Sequence, residues 1–296
     1  MENNFDPESR VPLICNENET FPKGCRFEEC FRLIIIENGT MLLRNGQHRK
    51  IITAPTVLCL NEKEYPVIEE NSNLKAKSVY FKPSFINSNF TFDNIRDWGN
   101  SFTLSDIRDR NWLICFLERK ETFDGIMNVG YLVIKQINWL FTSLEREMRE
   151  KRDGWWPCRS RSFFLEILFI LERAFFTQQS LDKAVLNGIS EDISKVVFYL
   201  HTHYQQKITI SKLVEEFHIN RTTLNDRFSK EVGYPVMTYL IKHRINLASL
   251  LLRDTLVPVS EIMERVGFKD SAHFVRMFKK YLGCSPLEYR KNNCLM

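Results

Sequence analysis

The spacing of apolar residues changes twice along this chain. In the first part apolar positions fall in short runs, residues 31–36, 40–43, 51–52, 57–60 and 76–81, rich in Ile, Leu and Val. Residues that favour turns separate them: Asn38-Gly39, Asn45-Gly46 and Asn71-Ser72. Short aliphatic runs punctuated in this way predict a small antiparallel sheet system. The period then becomes helical. Over residues 131–151, Leu132, Ile137, Leu140, Phe141 and Leu144 share one side, and over residues 162–176 Phe163, Phe164, Ile167, Leu168, Leu171 and Phe175 do so. Both patterns predict helices with a wide apolar face. The polar stretch at residues 178–191, with Asn187-Gly188, predicts a linker.

Beyond the linker the pattern repeats. Laying residues 210–236 over 259–286 matches Ser211, Leu213, Val214, Phe217 and Ile219 with Ser260, Ile262, Met263, Val266 and Phe268 at an offset of 49. Leu224, Phe228 and Gly233 then match Phe274, Phe278 and Gly283 at an offset of 50, so one additional residue has entered the second turn. Each unit reads as a short helix, a turn and a second helix. In the second unit Gly267 supplies a turn residue that tolerates positive φ, and Asp270 or Ser271 caps the next helix. In the first, His218 holds the turn and Asn220 the cap; His is less comfortable there than Gly, though enriched among left-handed residues. Between the units, residues 237–253 contain no Pro or Gly and predict one long helix. About 17 residues at about 1.5 Å each give a spacer of roughly 26 Å. It can set two turn motifs about one duplex turn apart, on the order of 34 Å, facing successive major grooves.

These residues resemble the carboxyl-terminal domain of the AraC/XylS family, the arabinose-operon type of transcriptional regulator. The likeness is densest over residues 260–291, SEIMERVGFKDSAHFVRMFKKYLGCSPLEYRK. There Glu261-Ile262, Gly267-Phe268, Phe274, Phe278-Lys279, Gly283, Pro286 and Tyr289-Arg290 fall on the family signature. The resemblance implies a compact all-α domain that binds DNA as two linked readers. Upstream, the order FRLIIIENGTMLLRNGQ, a strand bounded by Pro55 and then SVYFKP resembles the cupin-type sensory half of the same family. The expected fold class is therefore α+β. A cupin-like antiparallel β domain with flanking helices, for effector sensing and dimerisation, is expected over residues 1–180 and a linker over 181–189. An all-α domain with two helix-turn-helix motifs joined by a long helix is expected over 190–296.

Composition agrees with a folded protein: 44% of residues are hydrophobic and 26% charged, with 11 Gly and 10 Pro in 296 residues. Such a length suits two domains. The beginning, MENNFDPESR, lacks the basic-then-apolar order of a secretion signal, and no apolar run approaches the roughly 20 residues that span a bilayer. A cytoplasmic location without membrane association is expected. The eight cysteines include no C-x-x-C pair, which suits neither a zinc module nor a disulfide framework, so most are expected to be small core residues. The net charge of +4 is unevenly placed. From Glu191 onward there are 16 basic and 11 acidic residues, against 25 and 26 before it. A basic surplus confined to the last third fits a nucleic-acid module.

Positions on each second helix that do not face the core must face the groove. In the first reader these are Thr222, Asn225 and Asp226, with Arg221 at the helix start; in the second, Ser271, Ala272, His273, Arg276 and Lys280, beside Lys279. A guanidinium can bind guanine O6 and N7 together, which singles out Arg276, and an amide can pair with adenine, which suits Asn225. Arg221, Lys279 and Lys280 are assigned to phosphates, where charge matters more than shape. Asp226 departs from the family's basic or amide residue: it accepts from cytosine N4, or holds Arg221 or Arg227. The second reader is expected to carry more of the affinity.

Only His48 lies in the first 180 residues, so the His and Glu clusters of a catalytic cupin are missing. No catalytic residue, metal or cofactor is expected. The β domain is instead expected to hold a small organic effector in an apolar cavity, whose lining alternation alone does not assign. The two helices before the linker form a dimer interface or are buried within the monomer. The expected partners are promoter DNA, a second copy of the chain and, by resemblance for an activator, RNA polymerase. Two other readings are control by a protein partner with no ligand, and an enzyme that uses the module for targeting, such as an alkyl-transfer repair protein.

Overall fold

The computed structural model describes residues 12–19, 29–46, 48–96, 102–120, 123–177 and 189–293. The expected linker at 181–189, with Asn187-Gly188, therefore lies outside the described residues apart from its last position. Six strands, β1 (Leu13–Asn16), β2 (Phe31–Asn45), β3 (His48–Thr53), β4 (Thr56–Leu60), β5 (Val67–Phe81) and β6 (Ile126–Asn128), form one antiparallel sheet. The order is β1-β5-β2-β4-β6, with β3 alongside the far half of β2.

Two of the expected turns are not turns. Strand β2 runs straight through Asn38-Gly39 and β5 through Asn71-Ser72. Gly39, at φ 91°, is a bulge: the β2–β5 register shifts on either side of Asn38, and a Cβ at Gly39 would sit 2.5 Å from the Ser72 and Asn73 carbonyl oxygens. A bulge and a hairpin turn both call for a residue at positive φ, so the dipeptide does not distinguish them. Asn45-Gly46 does turn the chain, from β2 into β3.

The bulge decides which side chains share a face. Ile34 and Ile36 before it pack with Met41 and Leu43 after it, together with Ile52, Leu58 and Leu60. One inserted residue switches the parity of the inward positions. The opposite face of the first half, Phe31, Leu33 and Ile35 with Val79 and Phe81, lies under helices α3 (Tyr131–Glu150) and α4 (Trp156–Thr177). Phe81 and Phe164 meet edge to face with ring centroids 4.7 Å apart. Helix α4 begins before the expected residue 162 because its first turns carry polar Arg159, Ser160 and Arg161, which show no apolar period; Arg159 ties them to Glu147 at 2.8 Å. Two short helices, α1 (Leu104–Asn111) and α2 (Ile114–Leu117), were not foreseen.

Seven helices follow among the described residues: α5 (Glu191–His203), α6 (Ile210–Phe217), α7 (Arg221–Val232), α8 (Val236–Asp254), α9 (Val259–Arg265), α10 (Ser271–Leu282) and α11 (Pro286–Asn293). They enclose two cores bridged by the spacer α8. Its first turns put Val236 and Leu240 against Leu213, Leu224 and Phe228; its later turns put Ile245 and Leu252 against Ile262, Val266, Phe274 and Phe278. The first core also takes in Leu42 of β2 and Ile51 of β3, which pack with Ile193, Val197 and Leu200 of α5. The second takes in Tyr131 at the start of α3. Both readers are thereby seated on the β half. Of the six described cysteines, Cys30, Cys59 and Cys115 are buried, Cys15 and Cys284 half-buried and Cys158 exposed. No helix among the described residues is long and apolar enough to cross a membrane.

Candidate nucleic-acid interface

The ends of the reader helices are set by local chemistry. The Thr209 hydroxyl accepts the Lys212 N–H at 3.2 Å to start α6, and Asn220 Oδ1 accepts the Thr223 N–H at 2.8 Å to start α7. In the second unit Asp270 is the cap, accepting the His273 N–H at 2.5 Å, and Ser271 is the first helical residue. Both turns pass through positive φ, His218 at 53° and Gly267 at 89°. The additional residue of the second turn is Lys269: Phe268 and Lys269 separate Gly267 from its cap, where Ile219 alone separates His218 from Asn220.

Gly267 is needed for space as well as conformation. A Cβ there would run into the Tyr204 carbonyl oxygen at the end of α5. That carbonyl accepts from Arg244 Nε of α8 at 2.8 Å, while Arg244 Nη2 donates to the Gln206 carbonyl at 2.8 Å and the guanidinium lies 5.8 Å from the Phe268 ring centroid. One spacer side chain thus joins the end of α5 to the turn of the second unit. Nothing in the apolar pattern marks Arg244, because its partners are distant backbone atoms.

With Leu224 and Phe228 buried on α7, the opposite side shows Arg221, Thr222 and Asp226 exposed and Asn225 half-buried. With Phe274 and Phe278 buried on α10, Ser271, Ala272, Arg276, Lys279 and Lys280 are exposed and His273 is half-buried, its ring 5.6 Å from that of Phe268. The fold therefore gathers each proposed set on the outer side of one helix. The two sides differ in charge. Arg276 makes no ion pair among the described residues, and α10 presents three cations without an acid beside them on its own helix. Asp226 holds neither basic neighbour: Arg227 instead donates to Ser190 Oγ at 2.9 Å and pairs with Asp192 at 3.3 Å and Glu231 at 3.6 Å. Glu231 also accepts the Ser190 N–H and hydroxyl, each at 2.8 Å. Those bonds, with the Arg227 charge, hold its carboxyl below the usual carboxylate range against the opposing effect of burial, and they fasten α7 to the start of α5. The Asp226 carboxylate is left on the outer side of α7, where phosphates would repel it.

A second arrangement lies where the sheet meets the helices. His201 of α5 is buried, with Nδ1 3.2 Å from Thr53 Oγ1 of β3 and Nε2 2.8 Å from the Tyr239 hydroxyl of α8. Its ring lies against that of His243, centroids 4.0 Å apart and the planes tilted by 38°. Burial pushes both imidazoles well below their ordinary pKa, His243 to about 4 with Arg244 adding to the effect. Both rings are neutral at pH 7. Nothing in the sequence marks this pair, since a His at an apolar helix position carries no motif.

Comparison with known proteins agrees with the repeat. Residues 213–292 match the family described as a helix-turn-helix domain. The chain is 34% identical over 171 residues to the uncharacterized HTH-type transcriptional regulator YdiP of Escherichia coli K12, covering 56% of this chain and 54% of YdiP. This chain thus spans about half the length of that relative. It is 23% identical over 260 residues to the HTH-type transcriptional activator RhaS of Escherichia coli SMS-3-5, covering 88% of this chain and 84% of RhaS. Among solved structures, the C-terminal domain of AraT, a response regulator from Geobacillus stearothermophilus, covers 37% of this chain and 91% of its own at 29% identity, with a TM-score of 0.36.

Proposed function

Because the chain belongs to the AraC family of helix-turn-helix, DNA-binding transcriptional regulators, we propose that α7 and α10 enter successive major grooves of a promoter and that α10 supplies most of the affinity. The observation that carries this reading is the pair of outward sides fixed by one spacer: Arg276, Lys279 and Lys280 on α10, and Arg221, Thr222 and Asn225 on α7 beside the repelling Asp226. In the proposal Arg276 reads guanine and Asn225 adenine, while the lysines and Arg221 hold phosphates. The division into 1–180, a linker at 181–189 and 190–296 belongs to the same proposal. So do a cytoplasmic setting, a homodimer, contact with RNA polymerase, and activation in response to a small effector held by the β half. RhaS, which aligns over most of this chain, is named an activator. The test is an anisotropy titration of promoter DNA across salt concentrations. Lys280→Ala lowers the slope of log K against log salt by about 1 and weakens all sequences alike. An unchanged slope overturns the phosphate assignment.

One observation favours control by a protein partner without a ligand. The inward side of the sheet is occupied by its own aliphatic side chains, with Ile34, Ile36, Met41 and Leu58 each at most 1% exposed. A thermal-shift screen in which no small molecule stabilises the protein selects that reading.

A further inference from the structure

The seam between the sheet and the reader helices is open at one place. A cleft of about 80 Å³, open to solvent at its mouth, lies between the β3–β4 corner and β6 on one side and helices α5 and α8 on the other. Its walls are mainly aliphatic: Ile51, Ile52, Pro55 and Ile126 from the sheet, Leu247 and Leu250 from α8. A mainly aliphatic wall with a few placed polar groups is the character of small-molecule sites, and the open mouth lets part of a ligand stay outside so narrow a cleft.

The polar groups narrow the chemistry. Thr53 and His201 line the cleft but spend their polar atoms on each other and on Tyr239. His243 also lines it, and its Nε2 is buried with no hydrogen-bond partner. A buried polar atom without a partner costs free energy that a ligand can recover. Asn246, three residues further along α8, adds an amide able to donate and accept. Lys50, the one charged residue of the lining, is ion-paired with Asp124. A carboxylate ligand would have to break that pair or bury its own charge in an aliphatic wall.

We propose that this cleft is a binding site for a small uncharged molecule with an apolar body and one hydroxyl group, an aliphatic or aromatic alcohol or a phenol, whose hydroxyl meets His243 Nε2 and Asn246. A hydroxyl suits either tautomer of a neutral imidazole because it both donates and accepts. The site is built from both halves of the chain, so a ligand seated in it contacts the sheet and the spacer helix together. Occupancy then changes how firmly α8 is held against β3. This rests on the effector-responsive reading above and moves the effector from the interior of the sheet to its seam with the readers.

The test uses the full chain labelled with ¹⁵N-histidine, titrated with 1-hexanol, cyclohexanol and benzyl alcohol and, as the charged control, hexanoate. At least one alcohol is expected to shift the His243 and His201 ring nitrogens saturably and to raise Tm by several degrees, with hexanoate at least ten-fold weaker. His243→Phe keeps the wall and removes the polar tip, and Asn246→Ala is the milder variant; each weakens the alcohol at least five-fold while thermal unfolding remains cooperative. Ring signals that no alcohol shifts, hexanoate binding as tightly as the alcohols, or alcohol binding untouched by both variants each overturns the site. DNA affinity is measured alongside. Saturable binding with unchanged DNA affinity supports the site and refutes the effector reading, whereas no alcohol binding by the parent protein, with DNA affinity intact, refutes the site and leaves DNA recognition untouched.

Discussion

Gly267→Ala separates a glycine required for space from glycines required only for conformation. Three glycines close helices in the two readers at similar positive φ: Gly233 at 86°, Gly267 at 89° and Gly283 at 79°. A Cβ at Gly233 or Gly283 meets nothing within 4 Å, so Ala there costs only the conformational strain, about 1–2 kcal/mol. At Gly267 the same strain applies, and the Cβ also collides with the Tyr204 carbonyl. To move, that carbonyl must weaken its bond to Arg244 Nε at 2.8 Å, a hydrogen bond to a charged group worth about 1.5–3 kcal/mol. The sum is roughly 3–5 kcal/mol, a large part of the stability of a domain this size. At about 4–8 °C per kcal/mol for a domain of 60–100 residues, Tm falls by roughly 12–40 °C for Gly267→Ala and by roughly 4–16 °C for Gly283→Ala, the first exceeding the second by the cost of the weakened Arg244 bond. Urea and thermal unfolding of the three Ala variants measure this directly. Equal losses in all three would refute the packing argument and leave φ alone as the reason for Gly267.

Two further outcomes follow from the same geometry. His218→Gly, which frees a non-glycine residue from φ 53°, raises stability by about 0.5–1 kcal/mol in urea unfolding and leaves DNA affinity within two-fold. For pH, His243 titrates near 6.5 when unfolded and at about 4 when folded, so the unfolded state binds the extra proton. Stability is complete above pH 6.5 and is lost as pH falls toward 4, by about 2 kcal/mol for this group at pH 5. His201 moves in the same direction, and Tyr239, Arg244 and Lys50 are the other polar or charged groups facing the pair. Tm measured from pH 7.5 to 5 falls less steeply in His243→Gln than in the parent; parallel curves would show that the pair is not buried neutral.

Much of the helical third was legible because its determinants are local. The caps Asn220 and Asp270, the turn residues His218 and Gly267 and the apolar spacing of α6 to α10 are all set within a few residues of where they act. The sheet was legible as strands but not in its boundaries, since Gly39 serves a bulge with the same φ that would serve a turn. The groove-facing residues were placed by subtracting the buried phenylalanines, a rule that works only because each helix has one buried side. Arg227 fastened to Ser190 and Asp192, Arg244 to the Tyr204 and Gln206 carbonyls, and His201 to Thr53 and Tyr239 were all beyond reach, as their partners lie 35 or more residues away. Such contacts leave no periodic trace.

The unequal reading of DNA by α7 and α10 is tested most directly by comparing Arg276→Ala with Asn225→Ala in a gel-shift titration on the same promoter fragment at one salt concentration. Loss of a bidentate base contact costs about 1–3 kcal/mol, or roughly 5- to 150-fold; Arg276→Ala is predicted to fall toward the upper end and to relax preference at one base pair, with Asn225→Ala, beside the repelling Asp226, toward the lower end. Comparable losses in the two variants, or a larger loss for Asn225→Ala, would contradict it.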